Sequence, residues 1–232
     1  MRQIFVDSRD RVSGTSADFS IELRETLVIE EGGHKARIDQ LRIPLTIPTI
    51  ETGDNDTIKV LVGATNYTII IPQAQYDGPG IASTIQGLLN AAAPGSWTVT
   101  YITARIAMTI SCSNNFTISG GSYAAQLMSH SYTSTSNSYS FTYVSMLGVD
   151  LFYLSSGSFA TMSTVGPSGA SDTLMCAPVT SAFGTILVLD SPYNTWFDVP
   201  RMTTQQLNFQ IRDRWYDVVA NLPNVSFLLT ID

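Results

Sequence analysis

The chain of 232 residues is 44% hydrophobic and only 13% charged, with a net charge of -7 and a sequence pI near 4.7. Ten arginines against two lysines (Lys35, Lys59) within an acidic balance exclude a protein built to grip nucleic-acid phosphates, and the apolar content excludes an acidic disordered tail. Polarity is carried by 26 Ser and 26 Thr, and between Arg105 and Arg201 the only charged residues are Asp150, Asp172, Asp190 and Asp198.

Residues 1–16 read as an N-terminal arm. They are charged within the first ten positions and lack the apolar stretch of a signal peptide, so synthesis inside a cell without a leader is expected. The run Asp7-Ser8-Arg9-Asp10-Arg11 mixes both charge signs, and its arginines suit bidentate pairing with carboxylates of the chain or of a neighbour. Asp7, Arg9, Asp10 and Arg11 are therefore the candidate interaction residues.

From Phe19 onward, apolar residues alternate with period two, as half-buried strands require. Phe19, Ile21 and Leu23 share one face, as do Ile58, Val60 and Val62, and Tyr67, Ile69 and Ile71. Trp97, Val99 and Tyr101 follow, then Ile106, Met108, Ile110 and Cys112. Leu207, Phe209 and Ile211, and finally Val225, Phe227, Leu229 and Ile231, repeat the pattern. One segment has helical spacing instead: over residues 80–92, Ile81, Ile85, Leu88, Leu89 and Ala92 recur on one stripe, with Pro79 in the first turn and Pro94-Gly95 as the stop. Residues 119–140 and 155–172 are rich in Ser, Gly, Thr and Tyr and read as long loops. No repeat or linker stands out. The expectation is one all-β sandwich or barrel spanning 1–232, with a strand-helix-strand insertion over 54–119.

Constellations for catalysis are scarce. His34 and His130 stand far apart, Cys112 and Cys176 are 64 positions apart, and neither pair has metal-ligand spacing. Gly32-Gly33-His34-Lys35 lacks the spacing of a phosphate-binding loop. Glu30-Glu31 and Asp54-Asn55-Asp56 are acidic clusters without the twelve-residue calcium loop or a demonstrable facing partner. No cofactor, no metal and no enzymatic activity are expected. The longest apolar stretches are far too short for a transmembrane helix.

At this point the residues resemble a family. Phe5-Val6-Asp7-Ser8-Arg9-Asp10-Arg11 followed by Gly14-Thr15-Ser16-Ala17-Asp18-Phe19 is similar to the start of the jelly-roll penton, or minor capsid, proteins of double-stranded DNA viruses in the lineage of virophages, polinton-like viruses and large nucleocytoplasmic viruses. Arg42 to Ile50 resembles their strand and Ile-Pro turn. Asn66-Tyr67-Thr68, the helix and Trp97-Thr98-Val99-Thr100-Tyr101 resemble a further unit. Met146-Leu147-Gly148-Val149 is similar to a Leu-Gly-Phe element, with Val149 in place of Phe, and Leu207 to Asp213 with Val225 to Ile231 resembles the closing hairpin. The resemblance implies a single jelly-roll β-sandwich and a homopentamer closing the five-fold vertices of an icosahedral shell, beside major capsid protein and other minor capsid proteins in the virion. Direct nucleic-acid contact is not expected. The alternative is a carbohydrate- or receptor-binding β-sandwich, a spike or lectin-like module in which Trp196, Trp215 and exposed tyrosines stack on sugar rings.

Overall fold

Period-two alternation becomes antiparallel sheet along most of the chain. The computed structural model describes residues 1–30, 33–127, 135–142, 144, 149–159, 166–169, 172–190 and 196–232. Where one folding unit was expected, the chain packs as two, Met1–Ile47 with Val149–Asp232, and Pro48–Gly148. Each closes a hydrophobic core of its own.

The first unit begins with β1 (Arg2–Asp7), β2 (Arg11–Gly14), β3 (Asp18–Ile29) and β4 (Lys35–Pro44). The second holds β5 (Thr57–Val62), β6 (Thr65–Ile70), α1 (Gly78–Ala92), β7 (Trp97–Ile102), β8 (Ala107–Gly120), α2 (Ser122–Leu127) and β9 (Ser136–Phe141). The first unit then resumes with β10 (Leu151–Ser155), β11 (Thr173–Pro178), β12 (Ile186–Asp190), β13 (Phe197–Asp198), β14 (Met202–Arg212) and β15 (Ser226–Ile231).

In the first unit β1 pairs with β15, β3 with β14, β4 with β12, and β10 with β11. The second half of the strand sequence thus returns along the first as a nested ladder. Wrapping that ladder gives two antiparallel sheets, ordered β1-β15-β4-β12 and β11-β10-β14-β3-β2. This is the strand order of a jelly roll, and the second unit is inserted between β4 and β10. Inward side chains of both sheets fill the core: Phe209 of β14 meets Phe227 of β15 edge-on at 4.8 Å and lies 5.9 Å from Phe19 of β3. Phe209 is fully buried, so truncating it to alanine would cost about 3–5 kcal/mol.

Residues 1–16 are not a free arm. β1 lies in register with β15 from Arg2↔Ile231 to Asp7↔Ser226, and β2 pairs with β3. Val6 points into the core and Ile4 packs against it, while Phe5 points to solvent. The continuous apolar run Ile4-Phe5-Val6 hid that alternation. In β4 the buried positions change parity, from Ala36 and Ile38 to Leu41 and Ile43, where its register with β15 shifts between Leu228 and Leu229. A bulge flips the face of every later side chain.

The second unit is a sheet ordered β6-β5-β8-β7, with β9 also on β8, covered on one face by α1. Asp77 caps the helix, accepting from Gly80 N at 2.8 Å, and Pro79 occupies the first turn. The helix buries Ile81, Ala82, Ile85 and Leu89. Its amides also close the free edge of β7: Asn90 accepts from Trp97 N at 2.9 Å and donates to Trp97 O at 3.0 Å, and Gln86 Oε1 accepts from Val99 N at 2.9 Å. An open strand edge invites pairing with other chains, and these bonds remove it. Within the Ser-rich stretch 119–140, Ser122–Leu127 is helical and Ser136–Phe141 is strand. Ile106, expected beside Met108 on a strand face, instead takes a left-handed turn conformation (φ 49°) and is exposed.

Candidate functional site

The opposite face of the second unit's sheet shows where polarity without charge goes. Thr98 pairs with Ser111 and Ser111 with Ser138, while Thr100 pairs with Thr109 and Thr109 with Ser140, so the uncovered face carries hydroxyls; Thr109 and Ser140 hydrogen-bond at 3.0 Å. Three of the four aspartates in the low-charge middle are tied within the first unit. Asp150 pairs with Arg214, Asp190 accepts from Gln40 Nε2 at 2.9 Å, and Asp172 accepts from the Tyr216 hydroxyl at 2.5 Å.

The four candidate interaction residues run from the end of β1 (Asp7) through the turn (Arg9, Asp10) to the start of β2 (Arg11). Asp7 caps it, accepting from Arg9 N at 2.9 Å, and the same carboxylate receives Arg9 Nε at 3.0 Å and Nη2 at 2.6 Å. The Arg9 guanidinium hydrogen-bonded to Asp7 holds that carboxyl below the usual carboxylate range. Arg11 Nη1 donates to Ser8 O at 2.8 Å. Arg9, Asp10 and Arg11 are exposed. Ser8, in their midst, is fully buried and bonded to Val225 at the entry to β15. The segment is thus held on the jelly roll with its charges outward, and Arg9 is already partnered within it.

Beside this turn, the outer face of the first sheet forms an open groove of 330 Å³ lined by residues that include Phe5, Asp7, Asp10, Gln40, Arg42 and Leu228. Phe5 is 78% exposed. Arg42 Nε donates to Gln40 Oε1 at 2.9 Å, which continues to Asp190 across the strands. Phe5, Gln40, Arg42 and Leu228 were missed in the sequence. The available signal was an aromatic residue between Gln3 and Asp7 on the outward parity of a strand.

A second polar cluster sits where β14 leaves the other sheet. Arg212 donates to Ser155 Oγ at 3.2 Å and to Tyr216 O at 2.7 Å, and its guanidinium lies 4.6 Å from the Tyr216 ring centre. Burial and the bond to Asp172 push the Tyr216 hydroxyl's pKa up. It stays protonated and structural. The next residues project outward: Trp215 is 64% exposed, with the Arg214 guanidinium 5.4 Å from its ring centre.

The other sequence candidates have structural partners. Asn55 is buried, accepting from Glu51 N at 2.8 Å and donating to Thr49 O at 2.9 Å, and Asp56 accepts from Gly53 N at 2.9 Å. These groups shape a turn, while Asp54 is exposed. His34 Nδ1 lies 2.8 Å from the Asp232 carbonyl oxygen. Cys112 is buried and Cys176 exposed, both free. Trp97 is buried, and Trp196 has the Arg37 guanidinium 4.7 Å from its ring centre. Trp215 is therefore the most accessible of the three for stacking on a sugar. Glu31, His130, and Met146, Leu147 and Gly148 lie outside the described residues. Among the described residues, no three His, Cys, Asp or Glu side chains gather to hold a metal ion, and no helix is long and apolar enough to cross a membrane.

No family model matches the chain, and no curated protein matches its sequence. Solved structures do match. The mavirus penton protein aligns with 8% identity and a TM-score of 0.50, covering 100% of this chain and 99% of that one. A chain from the cryo-EM structure of the Sputnik virophage aligns with 11% identity and a TM-score of 0.43, covering 99% of this chain and 97% of its own. With its jelly-roll strand order and a second unit inserted after β4, this chain has, over its full length, the fold of the mavirus penton protein.

Proposed function

We propose that this chain is a structural capsid protein that closes the five-fold vertices of an icosahedral shell as a homopentamer, seated among major capsid protein and other minor capsid proteins in the virion. The observation that carries the reading is the full-length fold likeness to a penton protein. In this reading the jelly roll forms the ring and residues 48–148 are an insertion carried on it. The exposed Arg9, Asp10 and Arg11 face neighbouring shell proteins, and replacing both arginines by alanine weakens vertex incorporation.

A ring of rotated copies needs two different complementary patches on each subunit. Native mass spectrometry of the purified chain tests the reading, with a species of five times the 25.2 kDa subunit mass expected. A chain that stays monomeric at high concentration and is missing from the vertices of a particle map would overturn it. Specific retention on a glycan array by the monomer would favour the carbohydrate-binding alternative, for which Trp215 is the accessible platform.

A further inference from the structure

We propose that the edge strand β12 of one copy pairs antiparallel with the edge strand β1 of the next, so that the first sheet runs on from subunit to subunit. The inference rests on the ring reading above and names the contact that would close the ring.

The outermost strands of the two jelly-roll sheets are not alike. On the second sheet, β2 has four residues, a register shift against β3 between Arg11 and Ser13, and an end at Gly14. The register of β11 with β10 shifts between Leu154 and Ser155, and β11 ends at Pro178. Short strands, bulges and proline are the means by which proteins keep an edge from pairing with other chains. β1 and β12 of the first sheet carry none of these. Their ladders run without a shift from Arg2↔Ile231 to Asp7↔Ser226 and from Ile186↔Pro44 to Asp190↔Gln40. Neither lysine of the chain lies on them, and no described strand pairs with their outer sides. Each instead shows apolar side chains to solvent, Phe5 on β1 and Ile186 and Val188 on β12. An unguarded apolar edge is a template for a further strand.

Strand direction identifies the occupant. From β1 through β15 and β4 to β12 there are three antiparallel pairings, so β12 runs opposite to β1. A copy rotated about an axis along the strands keeps its direction, and its β1 therefore meets β12 antiparallel, the more stable kind of ladder. The second sheet does not continue in that way, because four pairings separate β2 from β11 and leave them parallel. Backbone phase agrees. Ser8 N bonds to Val225 O at 2.9 Å and Leu45 N to Thr185 O at 2.8 Å. By the two-residue repeat of an antiparallel ladder, the N–H and C=O groups of Phe5 and of Val188 then point away from their own sheet. The two edges also stand at one level: Phe5, Leu228, Gln40 and Asp190 form one cross-strand row, and Asp7, Ser226, Arg42 and Val188 the next. Rotation about the axis preserves that level. In the joined sheet Phe5 of one copy and Val188 of the other share the outer face and cover each other.

The test uses the full chain. Proline at a position whose N–H faces outward spares the subunit's own ladder and blocks a further strand. Phe5→Pro and Val188→Pro are each expected to raise the concentration at which the pentamer half-dissociates by about tenfold or more, the equivalent of about one lost ladder bond. A second measurement needs no proline. In a Cys176→Ser background, Phe5→Cys protein is mixed with Val188→Cys or with Asp190→Cys protein and oxidised. Residues facing each other across an antiparallel ladder stand within disulfide reach, so a mixed disulfide dimer is expected from at least one mixture. If the wild type is never pentameric, the ring reading fails and this contact with it. If the wild type is pentameric but neither mixture gives the mixed dimer, the ring stands and the edge pairing is wrong. Disulfides only between two Val188→Cys chains would set β12 against β12 and overturn it as well.

Discussion

Ser8 and Val225 are joined by two hydrogen bonds: Ser8 N donates to Val225 O at 2.9 Å, and Val225 N donates to Ser8 Oγ at 2.9 Å. Both residues are fully buried. The turn that follows the first strand is therefore locked to the start of the last one. Ser8→Ala keeps the first bond and leaves the Val225 N–H without an acceptor, so it should lower stability by about 1–3 kcal/mol. Chemical denaturation measures this, and an unchanged midpoint would mean that water replaces the hydroxyl.

The neighbouring Asp7–Arg9 pair gives a pH signature of known sign. The carboxyl is held below its unfolded-state value, about 3.9 for aspartate, by the Arg9 guanidinium bonded to it. Its contribution is present above that unfolded value and lost as pH falls through the folded one. Arg9 is largely exposed, so solvent screening keeps the pair's contribution small. Asp7→Asn should be slightly less stable than wild type at neutral pH and converge with it in acid. Melting curves from neutral pH to about pH 2 would show this, and a gap that widens on acidification would contradict the assignment.

What was legible in the sequence follows from where alternation survives intact. Phe19 and Ile21 sit in regular register with Leu207 to Phe209 across β3 and β14, and the structure buries them, Ile211, and Phe227, Leu229 and Ile231 as expected. The helix was legible because Asp77, Pro79 and the Ile81–Ile85–Leu89 stripe are local features. Strand β4 was hidden by its bulge, and β1 by Phe5, an aromatic residue placed outward. The groove and the Arg212–Tyr216–Asp172 cluster were illegible for another reason. They join residues from distant parts of the chain, Tyr216 with Asp172 and Gln40 with Asp190, and only the strand pairing decides which of them meet.

Tyr123 makes a contrary prediction. It is 1% exposed, and its hydroxyl has no hydrogen-bond partner among the described residues. Burial pushes its pKa far up, so the group stays neutral. A buried hydroxyl without a partner has lost its water bonds for nothing. Tyr123→Phe should therefore be neutral or stabilising by up to about 1 kcal/mol. A loss of more than that in thermal or chemical unfolding would reveal a partner for the hydroxyl.

Asn90 makes the strongest prediction for the second unit, because one side chain serves both backbone groups of Trp97 at an open strand edge. Trp97 is 2% exposed, so water cannot readily replace either bond. Asn90→Ala removes both and should cost about 1–3 kcal/mol. Asn90→Asp keeps an acceptor for Trp97 N but loses the donor to Trp97 O, and should fall between wild type and the alanine variant. Trp97 is the sole tryptophan of residues 48–148. Its fluorescence in a Trp196→Phe, Trp215→Phe background therefore reports the unfolding of that unit. The order wild type, Asn90→Asp, Asn90→Ala in midpoint is expected. If alanine and aspartate are equally damaging, the donor to Trp97 O carries the contact; if neither differs from wild type, the edge of β7 is protected by something other than α1.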